Sequence, residues 1–134
     1  MAPKPSILVI DDEEIIRDVM VRLLEDEGYA VTTAASGEEG MEAAQAKPFD
    51  LVMLDLMLPG KDGLTILEEF TQGSPDTVVV MVTAYASIED AVAATKSGAF
   101  DFLTTPFKHD ELLLVIKNGL EKQRLLSANR HLRT

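Results

Sequence analysis

Two hydrophobic periods alternate along the chain, and few folds accept that order. Ser6-Ile7-Leu8-Val9-Ile10 is a short β-rich run that stops at Asp11-Asp12. A continuous apolar run of this length suits a strand covered on both faces. Ile15, Ile16, Val19, Met20, Leu23 and Leu24 then recur at three-to-four spacing, which predicts a helix. Asp12 is its expected N-cap and Gly28 its stop. Tyr29 to Ala34 reads as a second strand. Ser36, with Glu39 three residues on, forms a capping box for a helix that Pro48 ends. Residues 49–54 read as a third strand ending at Asp55, and Leu64, Ile66, Leu67 and Phe70 as the next helical face. Thr77 to Val82 is a fourth strand that ends at Thr83. Ser87, boxed by Asp90, opens a helix that Gly98 stops. Phe100 to Leu103 is a fifth strand, and Asp110 is expected to cap a long last helix.

Five strands and five helices in strict alternation predict an α/β fold, a parallel sheet doubly wound with helices on both faces. Right-handed crossovers leave few topologies. One domain is expected to fill residues 6–120, after a short leader of residues 1–5. Residues 121–134 then extend the last helix.

Composition narrows the function. With 134 residues, 46% of them hydrophobic, the chain has the material for one core. It has no cysteine, which excludes disulfides and thiolate metal sites. No apolar run approaches the roughly 18 residues of a membrane span, and no charged start followed by an apolar stretch marks a signal peptide. A cytoplasmic domain is expected. The net charge of -11 argues against direct nucleic-acid binding by this domain. The charge is uneven: residues 117–134 hold five basic residues (Lys117, Lys122, Arg124, Arg130, Arg133) against Glu121 alone. Such a tail reads either as a solvated helix face or as an approach to a further domain or partner.

The acids fall at informative places. In open α/β sheets ligands bind beyond the carboxyl ends of the strands. Asp11 and Asp12 follow the first strand, Asp55 the third, Thr83 the fourth and Thr105 the fifth. If strands one, three and four are neighbours, these side chains meet in one pocket. Crowded carboxylates raise each other's pKa values, and a hard dication such as Mg²⁺ relieves the repulsion. An aspartate in such a place can act as a nucleophile toward phosphorus. The hydroxyl of Thr83 is placed to hydrogen-bond a phosphoryl oxygen.

Over nearly its whole length the chain resembles the CheY-like receiver domains of bacterial response regulators. The resemblance rests on Asp11-Asp12, on residues 54–63 (LDLMLPGKDG), on Thr83-Ala84 and on Pro106-Phe107, in order and at strand ends. It implies the flavodoxin-like strand order 2-1-3-4-5. It also implies Asp55 as phosphoacceptor, Asp12 as a direct Mg²⁺ ligand, Asp11 as holder of a metal-bound water, and the Met57 backbone carbonyl as a further ligand. Thr83 and Phe102 are the implied switch pair, and Pro106 the proline of a cis peptide bond. Met57 and Tyr85 are expected to slow loss of the phosphoryl group. Residues 81–89 and 98–104 resemble receivers of transcriptional activators of the NtrC/DctD type, whose last helix leads to an ATPase module. The implied partners are a sensor histidine kinase and a C-terminal ATPase or DNA-binding output module. A homodimer through Leu125, Ala128 and Leu132 is a further expectation. The implied activity is that of a phosphoacceptor, not an enzyme.

One position departs from the family pattern. Thr105 stands where these domains carry a lysine. Threonine is shorter and uncharged and cannot replace an ammonium paired with a phosphoryl oxygen. Lys61 and Lys108 are the other candidates, but neither comes from the right strand end. The departure keeps open an alternative, a receiver that binds partners with weak or no phosphorylation. Two other classes fare worse. A phosphatase with an aspartate nucleophile would need an acid two residues on, where Met57 stands. A flavin carrier would need a phosphate-cradling loop where Asp11-Asp12-Glu13-Glu14 stand.

Overall fold

The three central strands are apolar on both sides because each side meets a different set of helices. The computed structural model describes residues 4–58, 63–84 and 87–132, with residues 129–132 as backbone alone. In chain order the elements are β1 Ser6–Ile10, α1 Glu14–Asp26, β2 Ala30–Ala34, α2 Gly37–Ala46 and β3 Leu51–Asp55. They continue as α3 Gly63–Gly73, β4 Val78–Thr83, α4 Ile88–Lys96, β5 Asp101–Thr104 and α5 His109–Leu132. The strands form one parallel sheet in the order β2-β1-β3-β4-β5.

Alternate residues of the central strands divide between two cores. Leu8 and Ile10 of β1, Val52 and Leu54 of β3, and Val79 and Met81 of β4 pack with Ile66, Leu67 and Phe70 of α3 and Ala94 of α4. Ile7 and Val9, Leu51 and Met53, and Val78, Val80 and Val82 pack with Met20 and Leu24 of α1 and with Leu112, Val115 and Ile116 of α5. Burying one such aliphatic side chain stabilises the fold by about 1.5–3 kcal/mol. The period-two alternation therefore serves two layers at once.

Several helix signals need correction. The N-cap of α1 is Glu13, with no side-chain cap bond, and not Asp12; the amide of Glu13 is held by Oδ1 of Asp11 instead. Ser36 caps α2 as expected, but Glu39 reaches back to the amide of Ala35 and not to that of Ser36. The box of Ser87 and Asp90 on α4 is complete. Asp110 lies inside the first turn of α5, which begins at His109. Gly28 and Gly98 end α1 and α4 at φ 91° and 109°, a region that favours glycine. The last helix is unbroken to Leu132. Leu112, Val115 and Ile116 are buried in it, but Leu114 is 58% and Leu125 54% exposed. No described helix is long and apolar enough to cross a membrane.

Candidate functional site

The strand order reverses between β1 and β3, so their carboxyl ends open a cleft between neighbours. Asp11 follows β1 and is anchored at three points. Its amide donates to the Ala34 carbonyl at 3.1 Å. Its Oδ1 accepts from the Glu13 amide at 2.9 Å, and its carbonyl accepts from Arg17 Nη1 at 2.7 Å. Asp11 is buried and Asp12 exposed. Asp55 ends β3 and is half-buried; its Oδ1 accepts from the Met57 amide at 3.0 Å. Beside the cleft, the Leu56 amide donates to the Val82 carbonyl at 3.1 Å, tying the end of β3 to β4, and the Thr105 amide to the Thr83 carbonyl at 2.9 Å, tying the end of β5 to β4. Thr83 is buried at the end of β4. The Thr105–Pro106 bond is cis.

Gly63 packs directly on the backbone of Asp55 and Leu56. Its amide donates to the Leu56 carbonyl at 3.0 Å. A Cβ at this position would stand 2.6 Å from the Asp55 carbonyl oxygen and 2.6 Å from the Leu56 Cα. Those are backbone atoms with little room to give, so only glycine fits.

Carboxylate oxygens of Asp11, Asp12 and Asp55 all lie within 4.8 Å of one another. They line a cleft of about 220 Å³ together with Glu13, Met57, Thr83 and Thr105. Burial pushes the Asp55 carboxyl up to about 6; the Met57 amide opposes this, and the charges of Asp11, Asp12 and Glu13 add to it. Burial also raises Asp11, opposed by the Glu13 amide and Arg17 and reinforced by Asp12 and Glu13. A site that resists the ionisation of Asp11 and Asp55 while bringing three carboxyl groups together suits a hard dication. A larger cavity of about 580 Å³ lies at the opposite end of the sheet, beside Asp50 and Thr77. It contains none of the strand-end acids, so the chemistry belongs to the smaller cleft.

Six residues singled out from the sequence therefore meet: Asp11, Asp12, Asp55, Met57, Thr83 and Thr105. Phe102 is half-buried against the core on the α3–α4 side of the sheet, outside the cleft lining. Lys108 is exposed and also outside that lining. Tyr85 and Lys61 lie outside the described residues. Arg17 and Glu13 were missed. Glu13 is the N-cap of α1 and Arg17 lies in its first turn, and periodicity does not tell which polar residue of a helix bends back to the turn before it.

A family model for the response regulator receiver domain matches residues 7–117. The chain belongs to that family. The receiver is 38% identical over 130 residues to the nitrogen assimilation regulatory protein NtrX of Azorhizobium caulinodans, covering 96% of this chain and 29% of the relative. It is 35% identical over 133 residues to the C4-dicarboxylate transport transcriptional regulatory protein DctD of Rhizobium meliloti, covering 99% of this chain and 29% of the relative. It thus spans about half the length, or less, of the curated relatives it matches. A CheY-like receiver domain from Methanospirillum hungatei superposes with a TM-score of 0.87 at 35% identity, covering 90% of this chain and 97% of that one. The strand order 2-1-3-4-5 and the kinship with NtrC-type regulators expected from the sequence both hold.

Proposed function

We propose that this receiver accepts a phosphoryl group on Asp55 from a sensor histidine kinase, and that the change reaches a protein-interaction surface controlling an output, transcription. The observation that carries the reading is the meeting of Asp55 with Asp11 and Asp12 in a cleft floored by Thr83. In the transfer a carboxylate oxygen of Asp55 forms a bond to phosphorus while the P–N bond of the kinase phosphohistidine breaks and its electron pair returns to the imidazole. Asp12, Asp55 and the Met57 carbonyl would hold Mg²⁺, with Asp11 acting through a metal-bound water. Bound there, the ion neutralises charge on the transferring group.

The hydroxyl of Thr83 then hydrogen-bonds the phosphoryl group, and Phe102 turns inward as Thr83 moves. Met57, 62% exposed at the cleft, shields the acyl phosphate from water, and Tyr85 shares that role. With Met57 two residues past Asp55, where an aspartate phosphatase would carry its general acid–base group, no side chain at that position activates water and loss of phosphate is slow. The setting is cytoplasmic. In a longer chain, residues 121–134 lead from the domain of residues 6–120 to an ATPase or DNA-binding module, and the exposed Leu125 face supports a homodimer. The reading of a receiver that binds partners without phosphorylation rests on Thr105 alone and gains no support from the relatives.

Uptake from a small phosphodonor, followed by intact mass, tests the proposal. Uptake by wild type with Mg²⁺, and none by Asp55→Asn, is expected. Equal uptake by the two proteins would overturn it.

A further inference from the structure

Arg17 has no part in the functional reading so far. It lies in the first turn of α1, half-buried, and donates from Nη1 to the Asp11 carbonyl at 2.7 Å. The bond spans six residues and ties the end of β1 to the body of the helix. The other two anchors of Asp11 act differently: the Ala34 carbonyl holds the strand end, and the Glu13 amide lies within the turn itself. Arg17 alone among the three reaches the turn from further along α1. Asp12 sits inside the span that Arg17 closes, one residue past the clamped carbonyl.

We propose that Arg17 is a positioning residue for the metal: by clamping the Asp11 carbonyl it holds the Asp11-Asp12 turn in the geometry that binds Mg²⁺. This rests on the reading of the acid cluster as a Mg²⁺ site. Two effects compete. The clamp keeps two donor carboxylates in place, whereas the positive charge repels the dication. The guanidinium is partly solvated, so its charge is screened. The hydrogen bond is short and charge-assisted, and its acceptor belongs to a buried residue. The clamp therefore dominates, as supporting contacts around metal ligands generally do.

The test is Mg²⁺ titration by calorimetry of the full chain as wild type, Arg17→Ala, Arg17→Met and Arg17→Lys, with thermal unfolding of each. Arg17→Ala and Arg17→Met should bind Mg²⁺ about tenfold more weakly. Arg17→Lys, which keeps a donor and the charge, should recover to within about twofold of wild type. In phosphorylation from a small donor, the Mg²⁺ concentration for half-maximal rate should rise in Arg17→Met, and the rate at saturating Mg²⁺ should stay at the wild-type level. A merely structural role would lower stability without this split. If Arg17→Ala does not fold, Arg17→Met carries the same prediction. Unchanged or tighter Mg²⁺ binding in a folded Ala or Met variant, or a Lys variant as weak as Met, overturns the proposal. A wild type that binds no Mg²⁺ overturns the metal-site reading itself, and the proposal with it.

Discussion

The amide of Thr105 donates to the carbonyl of Thr83 at 2.9 Å, which fixes the residue after β5 at the end of β4 and on the wall of the acidic cleft. A side chain at 105 therefore starts from a fixed point close to Asp55. Threonine brings no charge there, and the described groups that act on Asp55 are a backbone amide and three carboxylates. An opposite charge at about 4–6 Å would lower a carboxyl pKa by about 1–3 units. Thr105→Lys should thus depress the Asp55 pKa, reduce the Mg²⁺ needed for phosphorylation, and raise its rate at limiting Mg²⁺ about tenfold. Rates measured with a small phosphodonor across a Mg²⁺ series check this. An unchanged series would mean that the missing cation is of no consequence.

Mg²⁺ binding should depend on pH through Asp55. Its carboxyl is pushed up to about 6, first by burial. A ligand must be deprotonated to bind the ion. Affinity should fall about tenfold between pH 7 and pH 5, the change expected for one proton held near pH 6. Calorimetric titrations at the two pH values measure it.

The same shift has a stability counterpart. A carboxyl whose pKa is raised on folding contributes stability that is present below its unfolded pKa and lost as the pH rises through the folded one. For Asp55 that window runs from its ordinary value of 3.8 to about 6. Asp55→Asn should therefore be more stable than wild type at pH 7.5 without Mg²⁺, by on the order of 1 kcal/mol after allowance for solvent screening. The gap should close toward pH 4 and reverse when Mg²⁺ is added. Chemical denaturation at both pH values, with and without the ion, tests the sign.

Gly63→Ala should destabilise the domain by about 1–3 kcal/mol, the cost of forcing an atom into a packed place. Its new Cβ would meet the backbone of Asp55 and Leu56. Mg²⁺ binding should weaken in parallel, because the displaced backbone carries Asp55. Gly73→Ala, with nothing within 4 Å of the added atom, is the control and should cost nothing measurable.

Light scattering of residues 1–120 against residues 1–134 tests the extension of α5. The longer form should have the larger mass if the exposed Leu125 face pairs two copies. Equal masses would count against a dimerising tail. Some loss of stability in the shorter form is expected, because Leu126 packs against the α1–α5 core.

The order of elements was legible because the two periods are strong, and the acid cluster because its members stand at strand ends. What failed to show in the sequence depends on tertiary placement. The run from Leu112 to Ile116 is apolar throughout, so no period reveals that Leu114 faces outward while Leu112 and Ile116 are buried. The start of α1 was misplaced by one residue because Asp11, reaching forward to the Glu13 amide, does what Asp12 was expected to do. The tie from the Ser6 amide to Asp50, 2.8 Å long, links residues 44 apart and has no local signal. Arg17 was invisible for a related reason, since its acceptor is a backbone carbonyl.

The central claim is that Asp55 takes the phosphoryl group. The most direct measurement is peptide mapping after exposure to a small phosphodonor with Mg²⁺, with borohydride reduction to trap an acyl phosphate. A single trapped site at Asp55 is predicted, absent without Mg²⁺ and absent in Asp55→Asn. A wild type that takes up no phosphoryl group, or that carries it on another residue, would contradict the account.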